Sequence, residues 1–522
     1  MPAINRIHIC GFKAFPNDFE LQLEGKNLLM YGENGSGKSS IYYALHCMFQ
    51  APLKPDAGKK YFAPASEQHL KNLNNLDVDS KIWIDFDGRH PFIYNIDKEG
   101  YQFTLLGGKH PLPAQINGCF VNHQFLFHFF NFRNSQRINL FPVFIKDILP
   151  FCKDDNTGLH IGEMYDEITA SIIKKGRHIH PDYISNIEYF NKAVKKVVED
   201  INIYASDRYN ESFKDEDDNE LVIRLRYDSN FDKPEDDTNE YWLKYDNIIE
   251  LVKENGEIKE RKSSYKKLNE PFIGLEISEK MPDGNLRKIV KPHTYFNEAK
   301  LTAIALSVRF ALLNIEKPAD GRFLALDDML ISLDMSNRAK VVDFLLKISD
   351  KYKIYLFTHD KMFFEYFKHK TKKNQDAWVY KEIYMDDEKT PYIRNSEDYL
   401  GQAEHYIKQH EYEIAGNFLR KEAEAFCKDF LPKKKQLTGD FAHLDLNGLI
   451  MNCKDYAAES GVIDISIFNE LDEHRKFILN PSSHDSYDVA KYGHEVKRCL
   501  QTLRKLREII IRPFLKFGSQ VE

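Results

Sequence analysis

Cysteine is scarce in this sequence and long apolar runs are missing, and each absence removes a class of protein. The 522 residues include seven cysteines, an odd number, and no two of them form a Cys-x-x-Cys pair. This usage argues against a disulfide framework and against a cysteine zinc site, and it suits a reducing compartment. The most apolar stretch, residues 125–130, is far too short to cross a bilayer. We therefore expect a cytoplasmic protein that does not enter a membrane.

Basic residues are fewer than acidic ones, 73 lysines and arginines against 80 aspartates and glutamates. The net charge is −7 at pH 7, which argues against a globally basic surface that coats nucleic acid. A hydrophobic content of 42% supports sizeable cores, and the length allows several domains. We expect nucleic acid to be a partner, through an indirect or transient contact.

A phosphate-binding loop is present at residues 32–39. It follows an apolar run at 28–31 and precedes another at 41–45, which is the strand-loop-helix context that such a loop requires. Glycines let the backbone N–H groups point inward, and the helix N-terminus adds positive potential for the phosphates. Lys38 suits the β- and γ-phosphates and Ser39 suits Mg²⁺, so we expect ATP and Mg²⁺ as cofactors. The residues assigned to nucleotide are Gly32, Asn34, Gly35, Ser36, Gly37, Lys38, Ser39 and Ser40.

Two later strands end in polar residues suited to the same chemistry. An apolar run at 323–326 ends in Asp327 and Asp328, and another at 354–357 ends at Thr358 and His359. Asp327 is suited to hold Mg²⁺, and Asp328 to polarise the attacking water. Any one strand can end in polar residues without function, but their order after a phosphate-binding loop favours one shared site.

In this order the motifs resemble those of ABC-type ATPases of the SMC and RecF class. The opening segment, residues 7–15, looks like the first strand and turn of that class. The resemblance implies a Walker B aspartate at Asp327, a catalytic base at Asp328 and a switch histidine at His359. It also implies a Mg²⁺-sensing Q-loop glutamine at Gln124, although a lone glutamine is equally consistent with an ordinary surface residue. The implied D-loop residues are Ser332 and Asp334.

The signature motif of that class matches residues 296–300, where Asn297 replaces the usual serine and Ala299 a glycine. In the family this segment touches nucleotide bound to a second head, which implies that the heads dimerise. The implied residues acting on the second head are Asn297, Glu298 and Lys300, together with the D-loop pair. The alternative is a capped core helix without a ligand, since Asn297 is a good N-cap and Glu298 suits the helix dipole.

The base position departs from the family pattern, because Asp328 stands where glutamate is usual. A carboxylate one methylene shorter predicts slow hydrolysis. We expect on the order of one turnover per minute or less, against a usual enzyme range that starts near ~1 per second.

The chain is expected to be an α/β protein: an ABC-type head with a mixed sheet, split by an α+β insertion, then an all-α domain. We place head lobe 1 at 1–155, a short-arm insertion at 156–290, head lobe 2 at 291–390 and the helical domain at 395–522. The insertion is too short for a long coiled-coil arm, so the resemblance points to compact ATPases of prokaryotic antiphage systems, PtuA-like or RloC-like. The acidic runs at 214–218 and 234–237 are interpreted as solvated charge rather than metal sites.

Arg475 and His484 lie at a helix end in the C-terminal region, an arrangement similar to that of HEPN-type ribonucleases. The spacing is longer than that family's usual Arg-x4-6-His. The alternative is a helix ended by Asn480-Pro481 with a surface histidine.

Three functional hypotheses follow. In the first, the ATPase is a sensor or regulatory scaffold for a nuclease partner in prokaryotic defence, built on a homodimer or larger even-numbered assembly. In the second, it is a RecF-like DNA repair or structural ATPase. In the third, the C-terminal domain is an RNase that the head restrains. A small-molecule kinase would leave the signature helix and His359 unexplained.

Overall fold

A computed structural model describes most of the chain. The described residues are 3–50, 70–75, 78–86, 92–96, 101–105, 118–130, 138–172, 181–227, 241–254, 257–269, 271–315, 322–329, 335–395, 399–438, 442–460, 465–483 and 493–517. They form two compact units, residues 1–394 and 395–522. Within the described residues, no helix is both long enough and apolar enough to span a membrane.

The first unit contains all the strands of the description. They are β1 (Ile4–Cys10), β2 (Phe19–Gln22), β3 (Asn27–Gly32), β4 (Ser80–Phe86), β5 (Phe92–Ile96), β6 (Tyr101–Leu105), β7 (Gly118–Asn122), β8 (Glu220–Arg226), β9 (Tyr245–Glu254), β10 (Glu257–Leu268), β11 (Gly274–Lys280), β12 (Leu286–Ile289), β13 (Phe323–Asp327), β14 (Lys353–Thr358), β15 (Trp378–Met385) and β16 (Pro391–Asn395).

The helices of the first unit are α1 (Lys38–Phe49), α2 (His123–Phe130), α3 (Phe141–Asp147), α4 (Ile161–Ile172), α5 (Pro181–Ser212), α6 (Pro292–Tyr295), α7 (Glu298–Ile315), α8 (Met335–Ile348) and α9 (Lys361–Lys370). Short 3-10 turns occupy Leu149–Phe151 and Lys372–Ala377.

The central sheet has the order β16-β15-β3-β14-β13-β7, and the five strands from β15 to β7 run parallel. Parallel strands are covered on both faces, so their sequences are apolar throughout, as in the fully buried β13. Successive residues of β13 enter different cores: Phe323 and Ala325 face one, Leu324 and Leu326 the other. This sheet with helices packed on it confirms the predicted α/β class.

Helix α1 lies in the core between the central sheet and a second, antiparallel sheet of order β2-β1-β4-β5-β6. The antiparallel strand β4 alternates buried and half-buried residues, as expected when only one face of a sheet meets a core. The other core holds α2 to α5 and α7 to α9.

The insertion contains a three-stranded antiparallel sheet, β12-β11-β8, and the two-stranded pair β10-β9. The edge of β8 is closed by the side chains of α5 instead of by another strand. Asn202, Ser206 and Asn210 lie four residues apart on one helix face, and each donates to one backbone C=O of β8 and accepts from the N–H of the same residue. The partners are Leu225 (2.9 and 2.7 Å), Ile223 (3.1 and 2.9 Å) and Leu221 (2.9 and 2.9 Å). We call these three residues the α5 ladder; it satisfies a sheet edge that would otherwise remain open.

The second unit is helical: α10 (Tyr399–Lys408), α11 (Tyr412–Phe430), α12 (Leu446–Ser460), α13 (Ser466–His474) and α14 (Gly493–Phe517). Helix α13 continues into a π-helical turn, Arg475–Leu479, in which Asn480 N–H donates to Arg475 O at 2.9 Å. Pro481 follows and cannot continue the helix, because it has no N–H to donate. Leucine, alanine, phenylalanine and cysteine side chains of all five helices form the core.

Candidate nucleotide-binding site

Three neighbouring parallel strands bring the sequence motifs to one edge of the central sheet. In the register, Thr358 of β14 lies opposite Tyr31 of β3, and Asp327 of β13 lies opposite Phe357. Because parallel strands end at the same edge, the phosphate-binding loop, the Asp327-Asp328 pair and His359 lie together. Ligands bind at this carboxyl edge in open α/β sheets.

The glycines of the phosphate-binding loop are required for two reasons, lack of space at Gly32 and backbone conformation at Gly35 and Gly37. A Cβ on Gly32 would lie 2.6 Å from the carbonyl oxygen of Ile383 and closer still to Ser36 Oγ, because β15 packs directly beside β3. Gly35 and Gly37 have φ of +87° and +104°, in the region that L side chains rarely adopt. Gly37 is the N-cap of α1, so the helix N-terminus faces the loop. Asn34 and Gly35 are exposed at its tip.

Lys38 is folded back over its own loop. Its Nζ donates to the carbonyl oxygens of Gly32 at 2.7 Å and Glu33 at 2.9 Å, and the residue is buried. Burial lowers the pKa of Lys38, and the nearby charges of Asp328 and Asp327 act in the opposite sense. The ammonium group therefore lies within the field of both carboxylates.

Asp327 is a buried carboxylate with unused hydrogen-bonding capacity. Burial raises its pKa to about 6, and a hydrogen bond from Ser39 and the charges of Lys38 and Lys13 limit the rise. Its Oδ1 is buried and has no hydrogen-bond partner, and the same is true of Ser36 Oγ. Carboxylate and hydroxyl oxygens are the ligands that Mg²⁺ prefers, so the Asp327-Ser39 pair fits that cation.

Asp328 and His359 are paired. Asp328 Oδ1 accepts from the backbone N–H of His359 at 3.0 Å and lies 2.9 Å from its Nδ1. Asp328 has φ of +48°, a left-handed conformation that aspartate tolerates better than most residues. Its own N–H donates to Phe357 O at 3.1 Å. The pair is half-buried, with the carboxylate 15% and the imidazole 33% exposed.

The residue after His359 anchors the loop. Asp360 is the N-cap of α9, and its Oδ1 accepts from Phe363 N–H at 3.0 Å. Its other oxygen pairs with Arg338 of α8. A small pocket between this loop and α8 is lined by Asp328, Met329, Arg338, Leu356, Phe357, Thr358, His359, Asp360 and Phe363.

The signature segment lies apart from this site. Asn297 Oδ1 accepts from Lys300 N–H at 2.8 Å and so caps α7, while Asn297 and Glu298 are exposed. Lys300 Nζ lies 2.9 Å from Asp218 and 5.2 Å from the Phe296 ring centroid. Among the described residues, no hydrogen bond or ion pair joins this segment to the phosphate-binding loop.

Four predicted site residues are not described at side-chain level. Gln124 is the second residue of α2, which begins just beyond the end of β7, but its side chain is outside the described part. Ser332, Asp334 and His484 lie outside the described residues altogether.

Lys13 is a further candidate that the motifs did not reveal. Burial lowers its pKa, and the charges of Cys47 and Asp327 act against the fall, so its ammonium group is close enough to sense Asp327. It lies 4.1 Å from the Tyr43 ring centroid, and the N–H of the next residue, Ala14, donates to Ser40 Oγ at 3.4 Å. The only sequence signal is a lysine within the turn at 11–15, where the pattern indicates a strand and turn and not a site.

Of the predicted C-terminal pair, Arg475 and His484, the structure describes only Arg475. Arg475 Nε donates to Asp472 Oδ1 at 2.9 Å, and both side chains are mostly buried. Burial alone raises the pKa of Asp472, but bonds from Lys476 and Arg475 bring it below its usual value. Asp472 also lies 3.8 Å from Lys454 and 2.8 Å from Lys476, so this carboxylate holds Arg475 in place but does not balance its charge.

Comparison with known proteins places this chain in a family. No curated protein matched the chain. Three similar solved structures are SMC heads: one bound to the C-terminal winged-helix domain of ScpA, one from Pyrococcus furiosus with an extended coiled coil bound to the C-terminal domain of ScpA, and one from Thermotoga maritima. Their identities are 14%, 15% and 13%, with TM-scores of 0.39, 0.41 and 0.32. The alignments cover 75%, 79% and 76% of this chain and 97%, 100% and 99% of those chains.

A family model described as an AAA domain matches residues 6–281, more than half of the chain. The matched segment includes the phosphate-binding loop and residues 156–281 of the predicted insertion. The chain therefore belongs to the AAA domain family of P-loop ATPases.

Proposed function

We propose that this ATPase binds Mg-ATP at the carboxyl edge of its central sheet, hydrolyses it slowly, and uses it to assemble two heads. The observation that carries the proposal is the buried, unpartnered oxygen of Asp327 beside the Ser39 hydroxyl. A buried carboxylate oxygen without a partner is costly, and a bound cation relieves that cost.

Each residue of the site has a role in this proposal. The N–H groups of residues 32–40 cradle the phosphates, and Lys38 exchanges its two carbonyl partners for phosphate oxygens. Asp327 and Ser39 hold Mg²⁺. Bound Mg-ATP supplies the phosphoryl group and the charge that draws these residues together. Asp328, oriented by His359, accepts the hydrogen bond of the attacking water.

Slow hydrolysis follows from the state of Asp328. Its Oδ1 already accepts from two groups of His359, and the aspartate side chain is one methylene shorter than glutamate. His359 holds Oδ1, so a water would be taken by Oδ2, and the shorter side chain brings Oδ2 to that water only if the end of the strand moves. That movement raises the barrier, in line with turnover of about one per minute or less rather than the usual ~1 per second and above.

Assembly follows from where the signature segment lies. Asn297 and Glu298 are exposed, and among the described residues no hydrogen bond or ion pair joins them to the phosphate-binding loop of their own chain. A second copy brings these residues to nucleotide that the first copy holds, so each nucleotide becomes part of an interface. The N-cap bond of Asn297 uses its oxygen and leaves its amide hydrogens available to donate.

We further propose that the assembled heads act as a sensor and regulatory scaffold for a nuclease partner in prokaryotic defence, in the cytoplasm. The short insertion and the separate helical unit support this hypothesis, since a compact head leaves the second unit to contact a partner. A direct RNase role for that unit has less support, because Arg475 is mostly buried and its Nε is bonded to Asp472.

The first experiment is sedimentation velocity with and without Mg-ATP. Asp328→Asn should accumulate as an ATP-bound dimer, and Lys38→Ala should stay monomeric in ATP. Lys408→Ala, which removes an exposed lysine from the second unit, is the matched control and should assemble like the wild type. An assembly state that does not respond to ATP in any variant contradicts the proposal.

The second experiment tests the partner. Tagged protein is recovered from its native host with Mg-ATP or without nucleotide, and the eluate is assayed for nuclease activity. Recovery of a nuclease only with ATP supports the scaffold. ATP-dependent binding of pure protein to duplex DNA, weakening steeply with salt, favours a RecF-like role instead.

A further inference from the structure

The turn of residues 213–218, which joins α5 to β8, carries four acidic residues, and we call it the acidic turn. The sequence predicts that its charges are solvated, and Asp215, Glu216 and Asp217 are indeed exposed, but two of the four acidic residues also form ion pairs. Asp218 Oδ2 lies 2.9 Å from Lys300 Nζ. Asp215 pairs with Lys340, whose ammonium group also donates to Phe213 O at 2.9 Å.

The two lysines belong to the helices whose N-terminal ends are proposed to face a second head. Lys300 lies in the first turn of α7, and its N–H donates to the capping Asn297. Lys340 lies in α8, which begins directly after the predicted D-loop. The acidic turn therefore bridges the signature end of α7 to α8.

An apolar junction beneath the acidic turn holds it in place. Phe213 is buried and lies 6.0 Å from Phe344 of α8, measured between ring centroids. Phe344 in turn stacks on Phe310 of α7 at 4.7 Å. Phe213 N–H donates to Tyr209 O at 2.8 Å, so the helical hydrogen bonding of α5 extends into the first residue of the turn. The end of α5 and both helices thus share one packed contact.

The ion pairs above this junction are too exposed to matter much for stability. Asp215 is 61% and Asp218 33% exposed, and pairs of this kind contribute little to the free energy of unfolding. We infer that these ion pairs instead orient the two long lysine side chains, and with them the helix turns to which the lysines belong.

We propose that Asp218 and Asp215 are positioning residues for ATP-dependent assembly. Through Lys300 in the first turn of α7 and Lys340 in the second turn of α8, the acidic turn holds the two helices in the arrangement that a second head engages. Because α5 ends in this turn, the insertion and the assembly surface are mechanically linked. The inference rests on the proposed assembly function and names the residues that prepare its surface.

The test compares substitutions of one charge within one turn. Asp218→Asn and Asp215→Asn remove the paired charges. Asp217→Asn is the matched control, since among the described residues Asp217 has no ion-pair partner. Asp218→Glu keeps the charge and serves as the rescue variant.

Three quantities are measured for each variant. Sedimentation gives the constant for ATP-driven dimerisation. Titration at concentrations where the heads are monomeric gives the affinity for Mg-ATP. Mass spectrometry gives the rate of hydrogen exchange at the backbone amides of residues 297–301. Asp218→Asn should weaken dimerisation about 3- to 30-fold, the range for residues that couple sites without touching ligand. The affinity of the monomer for Mg-ATP should stay within about twofold of the wild-type value, because the substituted residue and the nucleotide site are separate. Exchange at 297–301 should rise, and Asp218→Glu should restore most of the dimerisation.

The outcomes separate the two proposals. If the wild type binds Mg-ATP but never dimerises, the proposed function fails and the positioning role falls with it. If the wild type dimerises and Asp218→Asn dimerises equally well, only the positioning role is overturned. The positioning role is also overturned if Asp217→Asn weakens dimerisation as much, or if Asp218→Asn and Asp215→Asn both lose their fold.

Discussion

The α5 ladder allows a quantitative prediction about how the insertion is held together. Changing Asn202, Ser206 or Asn210 to alanine removes one donor and one acceptor from the edge of β8. The six bonds of the ladder measure 2.7 to 3.1 Å. Each single substitution therefore leaves one N–H and one C=O of β8 without a partner.

The magnitude follows from these bonds. A net hydrogen bond contributes about 0.5–1.5 kcal/mol, so the two bonds of one side chain contribute about 1–3 kcal/mol. Alanine recovers up to about 0.7 kcal/mol through its higher helix propensity. Water reaches the half-buried side chains, which favours the lower half of the range. We expect a net loss of about 1–2 kcal/mol for each substitution, and less than additive losses in the triple variant.

The assay is residue-resolved hydrogen exchange, because a chain of two compact units need not unfold in a single step. The amides of Leu221, Ile223 and Leu225 point at the ladder, whereas by alternation the amides between them point at β11. The first set should exchange about 5- to 30-fold faster in the variants, which is the equivalent of 1–2 kcal/mol.

A matched control comes from the same helix. Asn186 is exposed on α5, and Asn186→Ala makes the same chemical change away from β8. If exchange of the β8 amides in Asn202→Ala matches that in Asn186→Ala, the ladder does not stabilise the edge and this reasoning is wrong.

Three further outcomes are expected. Gly32→Ala should abolish Mg-ATP binding in a titration, because the added Cβ would meet the carbonyl oxygen of Ile383 in β15. The control is Gly158→Ala, at a glycine with φ of +70° and open space around it, and this variant should bind Mg-ATP normally. Asp328→Ala should reduce steady-state hydrolysis by at least ~100-fold in a phosphate-release assay, since general base catalysis supplies about that much; wild-type turnover of many ATP per second would contradict the slow-hydrolysis hypothesis. Burial lowers the pKa of His474 in the folded protein. As the pH falls below the ordinary histidine pKa of about 6.5, the histidine of the unfolded state is protonated before that of the folded state. The second unit should therefore lose stability below that pH. A thermal-melting series should show a smaller acid loss in His474→Gln, and equal losses in both proteins would refute this assignment.

The local motifs were predictable because their chemistry is carried by consecutive residues. The phosphate-binding loop needs glycines, Lys38 and Ser39 in one register between a strand and a helix, and the sequence shows all of these. The α/β class was likewise readable from apolar runs that end in polar residues. Asn297 as an N-cap was predicted from its place before a helical pattern, and the bond to Lys300 N–H confirms it.

Other features depended on residues far apart in the chain. The pairing of Asp328 with His359 spans two strands, and its geometry depends on the left-handed backbone at Asp328. Lys13 looked like part of a turn until the fold placed its charge near Asp327. The ion pairs of the acidic turn were not predicted for the same reason, since a run of carboxylates does not show which lysines will meet it.

The sequence by itself determined the α/β class and the residues predicted for phosphate and magnesium chemistry, because those patterns are set by neighbours within a few positions. Only the tertiary structure decided the pairing of Asp328 with His359, the bracing of Asp218 by Lys300, and the closure of β8 by α5. Such contacts depend on the order and register of strands, and many pairings of the same apolar patterns satisfy local preference equally well.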